Sequence, residues 1–250
     1  MNAIYIIWLR QLKRYLRSKA RIIGSLGQPL LFLVALGFGL GPVFQRAGGG
    51  NYLDFLAPGI IAMGILFTAL FSGVEIIWDR QFGFLKETLV APVSRLKIMI
   101  GRTLGGATVA IMQGVIVFIL AFLVGFRPEY LTVGTFMLAL VFMFLIAVLF
   151  TALGTAIASQ LDDMQGFQLI MNFVVMPLFF LSGALFPTEG LPSGIALVVK
   201  IDPLSYGVDG LRHALTGAAN FGFATDFTVL LIITGALVAL GSYLFSKIQI

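Results

Sequence analysis

Few residues of this 250-residue chain have the side chains that metal or nucleophile chemistry requires. His213 is the only histidine, Asp209 lies four residues before it, and there is no cysteine. Asp162 and Asp163 are adjacent, so on a helix they point in different directions and would not act as a catalytic pair. We therefore predict no catalytic residue and no metal site. His213 is interpreted as an interfacial hydrogen-bonding residue, and the two aspartates as a turn that caps the next helix or contacts a partner.

Nucleotide chemistry is not indicated either. No G-x-x-x-x-G-K-[ST] sequence occurs, so the chain cannot hold ATP in a phosphate-binding loop of that kind. The run G-F-G-L-G at 37–41 follows no predicted strand and lies in an apolar stretch. We interpret it, like Gly101 and Gly105, as a surface for close helix packing. The chain is predicted to be no enzyme and to bind no cofactor itself, so any ATP must be handled by a partner.

The sequence does indicate a docking element, which is a charged segment between two long apolar runs. This docking segment is Asp79–Lys97, DRQFGFLKETLVAPVSRLK. Phe82, Leu85 and Leu89 have the spacing of one face of a short helix over 81–91. Two interpretations stay open at this point: the apolar face binds a partner protein, or the segment is a solvated loop resting on lipid headgroups.

The docking segment also carries charged residues and has clear boundaries. Its charged residues would occupy the other sides of the short helix and are Asp79, Arg80, Lys86 and Glu87. Pro92 cannot continue a helix, and Ser94 is expected to cap the next one, which leads into an apolar run.

Composition identifies the class of protein that carries this segment. Hydrophobic residues make up 59% of the chain, charged residues only 11%, and the mean hydropathy is +1.04. These values indicate an all-α integral membrane protein. The sequence pI of about 9.7 could suit nucleic acid, but the positive charges cluster beside the apolar runs, so no nucleic-acid partner is expected.

The apolar runs predict six transmembrane helices in a single domain over 1–250. The expected spans are 22–41, 56–78, 98–125, 133–158, 169–186 and 227–245. Residues 1–21 precede them as an amphipathic interfacial helix with a basic stripe and an apolar stripe of Tyr5, Trp8, Leu9, Leu12 and Leu16. Residues 187–226 are too polar for a span, so we expect two short re-entrant helices there, broken at Asp202-Pro203.

Charge predicts the orientation of these spans. Of the 16 Lys and Arg residues, only four fall on the segments of one side, and they are Arg46, Arg127, Lys200 and Arg212. The positive-inside rule therefore places both termini and the docking segment in the cytoplasm, with the chain in the plasma (inner) membrane.

The residues in the middle of the predicted spans distinguish between possible transport mechanisms. The middles of the six predicted spans contain no ionisable residue, whereas an ion-coupled carrier normally keeps one there. Glu75 lies nearest, about one turn from the cytoplasmic end, and is expected to pair with Arg80 or a partner. Arg102 is expected to snorkel to the surface. The alternative functions are an ATP-independent carrier or channel, or a membrane enzyme or scaffold, and the sequence shows the signature of neither.

Two motifs resemble a known family. E-T-L-V-A-P-V-S-R at 87–95 follows the second span, and F-L-S-G-A-L-F-P at 180–187 closes the fifth. Together they resemble the permease subunit of type-2 ABC exporters, the group that includes daunorubicin-resistance and nodulation-factor export permeases. The resemblance implies a separate ABC ATPase subunit that binds ATP and Mg, a second permease copy or paralogue, and membrane lipid as partners.

The resemblance also implies roles for particular residues. The docking segment would be a coupling helix that contacts the ATPase through Phe82, Leu85, Lys86, Glu87, Leu89, Pro92 and Arg95. The first and fifth spans would line the translocation route, with Gln28, Asn172 and Ser182 as its polar groups. The expected function is export of a hydrophobic or amphipathic substrate, such as a drug, a lipid or a lipid-linked saccharide.

Overall fold

A computed structural model describes residues 3–48, 50–128 and 131–247, without the side chain of Leu89. Within these residues the chain forms helices and no strand. The helices are α1 (Ala3–Arg17), α2 (Lys19–Arg46), α3 (Tyr52–Phe71), α4 (Val74–Gln81), α5 (Phe84–Val90), α6 (Arg95–Val124), α7 (Val133–Ser159), α8 (Met164–Leu181), α9 (Ser193–Ile201), α10 (Pro203–Thr216) and α11 (Phe223–Ser246).

The predicted all-α membrane architecture is confirmed. Six helices of the described chain are long and apolar enough to cross a membrane. They are Lys19–Arg46, Tyr52–Gln81 (α3 with α4), Arg95–Val124, Val133–Ser159, Met164–Leu181 and Phe223–Ser246. The fifth ends at Leu181, earlier than the expected Phe186, because the chain turns at Gly183, whose φ of +74° favours glycine.

The core lies around the second and fourth spans. Helices α3 and α7 are buried along most of their length, whereas α2, α8 and α11 expose most of theirs. The backbones of these two central spans approach closely where α3 meets α4. A Cβ at Gly73 would lie 2.4 Å from the Gly154 carbonyl oxygen, and one at Gly154 would lie 2.3 Å from that of Leu70. Only glycine allows this approach, which fixes α4 and therefore the start of the docking segment against α7.

Helix α1 packs on α6 through a face that overlaps its predicted apolar stripe only in part. Ile7 lies against Gly101 and Gln11 against Gly105, so these two glycines form the expected packing surface. The Trp8 indole donates a hydrogen bond to the Thr108 hydroxyl oxygen at 2.9 Å. The predicted stripe includes residues that face away from the chain: Tyr5 and Leu16 are about half exposed. The glycine groove on α6, rather than apolar character alone, selects the packed face of α1.

The segment between α8 and α11 folds onto the bundle. It contains two short helices separated at Asp202, and the Asp202 carboxylate caps α10 by accepting a hydrogen bond from the Leu204 amide at 2.8 Å. Helix α10 is largely buried against α3, α7 and α11. Arg212, which the sequence placed in the second of the expected short helices, is buried and donates to the Gly183 carbonyl oxygen at 2.9 Å. That carbonyl belongs to the turn that ends α8, so Arg212 ties α10 to the fifth span.

Candidate functional site

The docking segment is built from two helices rather than one. The sequence predicted a single helix over 81–91, but α4 ends at Gln81 and α5 starts at Phe84. Gly83 separates them with a φ of +80°, a left-handed conformation that interrupts the helix. Pro92 follows α5 as expected, and α6 begins at Arg95 after Ser94. Ser94 is the N-cap residue of α6, as predicted, although its side chain makes no capping hydrogen bond.

The break at Gly83 changes which apolar side chains face outward. Leu85 is 3% exposed, buried within its own chain, so the expectation that it presents itself to a partner groove is wrong for the isolated chain. The outward apolar residues are Phe82, Phe84 and Val90, with exposed fractions of 73%, 51% and 78%. Leu89 lies outside the described side chains. We call Phe82, Phe84 and Val90 the outward apolar surface.

The other predicted contact residues near this surface are either exposed or bound to another helix. Lys86 and Glu87 are exposed beside it, as is Pro92. Arg95 is half-buried and donates a hydrogen bond to the carbonyl oxygen of Ser246 at the end of α11. Of the charged residues predicted to contact an ATPase, Lys86 and Glu87 are therefore free to do so on the surface, and Arg95 also serves to hold α6 against α11.

Buried charges anchor the docking segment to the membrane helices. Asp79 is 3% exposed, and its two carboxylate oxygens accept hydrogen bonds from Arg10 of α1, at 2.9 Å, and from Arg102 of α6. Asp79, expected on a polar side of a short docking helix, is therefore buried at the end of α4, and the expectation that Arg102 snorkels outward is wrong. The Arg102 guanidinium is instead buried, and pairing with Asp79 compensates for its desolvation. We call Arg10, Asp79 and Arg102 the Asp79 cluster.

A second attachment joins the docking segment to the turn between α7 and α8. Arg80 pairs with the Asp162 carboxylate and donates to the carbonyl oxygens of Ser159, at 3.0 Å, and Leu161, at 2.9 Å. Asp163 accepts a hydrogen bond from the Gly166 amide at 2.6 Å and caps α8, which confirms the predicted capping role.

An amphipathic cavity of about 410 Å³ lies beside this anchored end, between α1, α2, α3–α4 and α6. Its polar edge contains Arg21, Glu75 and Trp78. Glu75 does not pair with Arg80 as predicted, and instead lies near Arg14 and Arg21. The deeper walls are apolar and include Pro29, Met63, Phe67, Phe71 and Val109.

A buried polar contact supports the wall of this cavity. The Gln113 side-chain oxygen accepts hydrogen bonds from the Tyr15 hydroxyl and the Ser25 hydroxyl, both at 3.0 Å. The Gln113 amide nitrogen donates to the Ser25 carbonyl oxygen at 3.2 Å. Burial raises the pKa of Tyr15. Its hydroxyl therefore stays protonated as a donor, and Gln113 joins α1, α2 and α6 behind the cavity.

The three residues predicted for the translocation route are not brought together. Gln28 lines the amphipathic cavity. Asn172 lies on the exposed face of α8. Ser182 is buried at the end of α8, where its hydroxyl donates to the Phe179 carbonyl oxygen at 2.8 Å and accepts from the Ala184 amide at 3.3 Å. These bonds terminate α8, and they give Ser182 a structural role in the single chain.

The remaining residues considered for chemistry, His213 and Asp209, make contacts within the fold. His213 is partly buried, with its ring 6.3 Å from that of Phe223. Asp209 accepts hydrogen bonds from the backbone amides of Asn220 and Phe221 at 2.8–2.9 Å, and so positions the turn before α11. Among the described residues, no group of three or more His, Cys, Asp or Glu side chains could hold a metal ion.

Sequence reasoning missed Arg14, Arg21 and Trp78 as members of a site. Their only signal was position: Trp78 ends an apolar run next to Asp79, and Arg14 and Arg21 lie at the end of a basic helix that precedes the first span. Their convergence depends on how α1, α2 and α4 pack, and this cannot be obtained from spacing along a single helix.

Comparison with known proteins identifies the family. Residues 2–216 match the model of the ABC-2 type transporter family. Nodulation protein J of Rhizobium leguminosarum bv. trifolii is 29% identical over 215 residues, which cover 85% of this chain and 78% of that protein. The ycf38 protein of Porphyra purpurea, described as a candidate transport permease, is 30% identical over 79% of this chain and 68% of its own length. The chain therefore belongs to the ABC-2 type transporter family, as a multi-pass membrane permease whose family membership implies an ABC ATPase partner.

Proposed function

We propose that this chain is the membrane-spanning subunit of an ATP-driven exporter that moves a hydrophobic or amphipathic substrate out of the cytoplasm. A separate ATPase subunit, which binds ATP and Mg, docks on the segment 79–97 and supplies the energy. The chain lies in the inner membrane with both termini cytoplasmic. The charge distribution along the sequence, the family membership and the name of the relative described as a transport permease support this assignment.

The observation that carries the proposal is the outward apolar surface on a firmly held support. Phe82, Phe84 and Val90 are more than half exposed, yet they lie beside residues fixed to the bundle by the Asp79 cluster and by Arg80. A solvated loop gains nothing from exposing two phenylalanines at such a position. A partner groove that buries them gains the free energy of apolar burial, and the rigid support transmits the partner's movement.

The transport route is proposed to form between two permease copies or paralogues. Helices α2 and α8 expose large apolar side chains, including Phe38 on α2 and Phe173 on α8, with exposed fractions of 61% and 81%. A second subunit could cover these faces, and the exposed amide of Asn172 would then lie at the junction. Gln28 would connect the route with the amphipathic cavity.

The test is the change Phe82→Ala/Phe84→Ala in the tagged full-length chain. We expect less co-purification of an ABC ATPase and a loss of substrate-stimulated ATP hydrolysis, because truncating a buried interface anchor typically costs more than about 1 kcal/mol. Phe186→Ala is the matched control, since Phe186 is 53% exposed but lies outside the docking segment.

A charge change separates partner docking from lipid contact. Glu87→Lys should impair ATPase association through charge reversal at the contact, whereas a segment resting on anionic headgroups would bind them better with an added positive charge. Unchanged ATPase association in both the phenylalanine and the Glu87 variants would leave the solvated-loop interpretation standing.

A further inference from the structure

The charges at the edge of the amphipathic cavity are incompletely neutralised. Glu75 is the carboxylate there, and the nearest guanidinium nitrogens of Arg14 and Arg21 lie 3.9 and 3.8 Å from its Oε1. These distances exceed the 2.7–3.2 Å of a hydrogen bond. Two positive charges therefore share one negative charge, and neither arginine uses its donors on the carboxylate.

Trp78 holds the two arginines in this arrangement. The Arg14 and Arg21 guanidinium carbons lie 5.2 and 6.0 Å from the centroid of its ring, within the range of a cation–π contact. Such a contact requires no hydrogen bond to an oxygen acceptor, so N–H groups of both arginines remain available to a ligand. A pair of oriented guanidinium groups with open donors matches the geometry of phosphate and carboxylate oxygens.

The cavity continues from this charged edge into apolar walls. Its volume of about 410 Å³ lies in the range of small-molecule sites. Met63, Phe67 and Phe71 of α3 face Pro29 of α2 across it, so an aliphatic chain entering past Arg21 would be buried. A polar edge with a net positive charge and an apolar interior is complementary to one class of ligand.

We propose that the amphipathic cavity binds an anionic amphiphile, with a phosphate or carboxylate headgroup at Arg14 and Arg21 and its apolar chain between α2 and α3. The ligand could be a lipid of the surrounding leaflet or the exported substrate itself. Binding at this site stands on the cavity alone, and only the second source rests on the proposed export function.

Trp78 supplies a direct test, because the chain has only two tryptophans. In the Trp8→Phe variant, Trp78 is the only fluorescent indole. The full-length variant is reconstituted into phosphatidylcholine vesicles that contain phosphatidylglycerol with brominated acyl chains, or brominated phosphatidylcholine at the same mole fraction. We expect stronger quenching of Trp78 by the brominated phosphatidylglycerol. Equal quenching by the two lipids would overturn the proposal.

Substitutions separate a built site from general attraction to a basic helix. Arg14→Gln/Arg21→Gln should raise the half-quenching concentration of brominated phosphatidylglycerol about tenfold, the equivalent of one charge-assisted hydrogen bond. Arg17→Gln is the matched control, because Arg17 is exposed at the end of α1, and no described ion pair or cation–π contact joins it to Glu75 or Trp78, as these contacts join Arg14 and Arg21. An equal effect of Arg17→Gln would mean general surface attraction and would contradict the site. Arg14→Lys/Arg21→Lys keeps the charge and should retain most of the preference for brominated phosphatidylglycerol. This result would show that the loss in the glutamine variant is due to the missing charge and not to misfolding.

The source of the amphiphile is decided in vesicles that contain the permease with its ATPase. Fluorescent phosphatidylglycerol in the cytoplasm-facing leaflet is followed by chemical quenching after ATP is added. Transfer to the other leaflet identifies an exported lipid, whereas a change in hydrolysis without transfer identifies a bound membrane lipid. If Trp78 quenching persists while ATP produces neither effect, the site binds the lipid, and phosphatidylglycerol is neither the exported substrate nor a regulator of hydrolysis.

Discussion

Removing the charge of Asp79 should be among the most destabilising single changes in this chain. Asp79→Asn leaves the Arg102 guanidinium buried, with a side chain only 5% exposed and no carboxylate to compensate it. The Nε of Arg102 already lacks a hydrogen-bond partner in the described structure, and Asp79 is the carboxylate that forms the described salt bridge with Arg102. Breaking a buried pair by removing one partner costs about 3–5 kcal/mol. We therefore expect a loss of folded protein of at least a hundredfold at equilibrium, or a correspondingly faster thermal inactivation.

The other members of the Asp79 cluster provide the controls. Arg10 is 49% exposed, so Arg10→Gln should cost less than about 1 kcal/mol, as surface pairs do. Asp79→Leu/Arg102→Met removes both buried charges and should be more stable than Asp79→Asn, because no uncompensated charge is left and the freed Arg10 can turn to water.

The assay is the rate of thermal inactivation of the full-length permease in detergent, followed as loss of the monodisperse peak in size-exclusion chromatography. A rate is the appropriate quantity because membrane proteins usually unfold irreversibly under these conditions. If Asp79→Asn is as stable as Arg10→Gln, or if the double variant is the least stable of the three, Asp79 does not compensate a buried Arg102 charge as argued.

Three further predictions follow from other parts of the chain. In this cysteine-free protein, Ser94→Cys should resist an impermeant thiol reagent in intact cells while Ser193→Cys reacts, and the reverse pattern would invert the orientation. Leu85→Ala should cost about 2–5 kcal/mol as a buried core truncation, measured as faster inactivation, whereas the exposed Val90 should tolerate alanine. Burial raises the pKa of Asp202 from 3.8 to about 7, so its stabilising contribution is full below about pH 4 and is lost as the pH rises through 7. Asp202→Asn, which keeps a good N-cap, should remove that pH dependence of inactivation. If the pH profile of inactivation is unchanged, the pH dependence comes from another group.

Features that depend on one stretch of sequence were predictable. The six long helices follow from hydropathy, since each must be about twenty apolar residues long to cross the hydrocarbon. The break at Asp202 follows from Pro203, which lacks the backbone N–H that a continuing helix would need. The contact of Gly101 and Gly105 with another helix follows from their lack of side chains.

Features that depend on the packing of two or more helices were not predictable in the same way. Asp79 looks like a surface residue beside Arg80, and only the approach of α1 and α6 makes it a buried acceptor. Leu85 has the spacing of an exposed apolar stripe, but Gly83 interrupts the helix and so changes the direction that each later side chain faces. Hydropathy scores each residue alone, and therefore it cannot show that Arg102 and Asp79, distant in the sequence, are buried together.

The attachments of the docking segment suggest how a partner's movement could reach the rest of the bundle. Asp79 connects it to α1 and α6, and Arg80 connects it to the turn between α7 and α8. Trp78 at the end of α4 also lies at the polar edge of the amphipathic cavity, where its ring contacts Arg14 of α1. Only two or three side chains therefore separate the outward apolar surface from the cavity edge, so a displacement of that surface would move the cavity edge. Arg80→Gln removes only the attachment to the α7–α8 turn, so it should leave Trp78 quenching by brominated phosphatidylglycerol intact while weakening coupled transport. If Arg80→Gln instead abolishes quenching, the position of the cavity edge depends on that turn rather than on the Asp79 cluster.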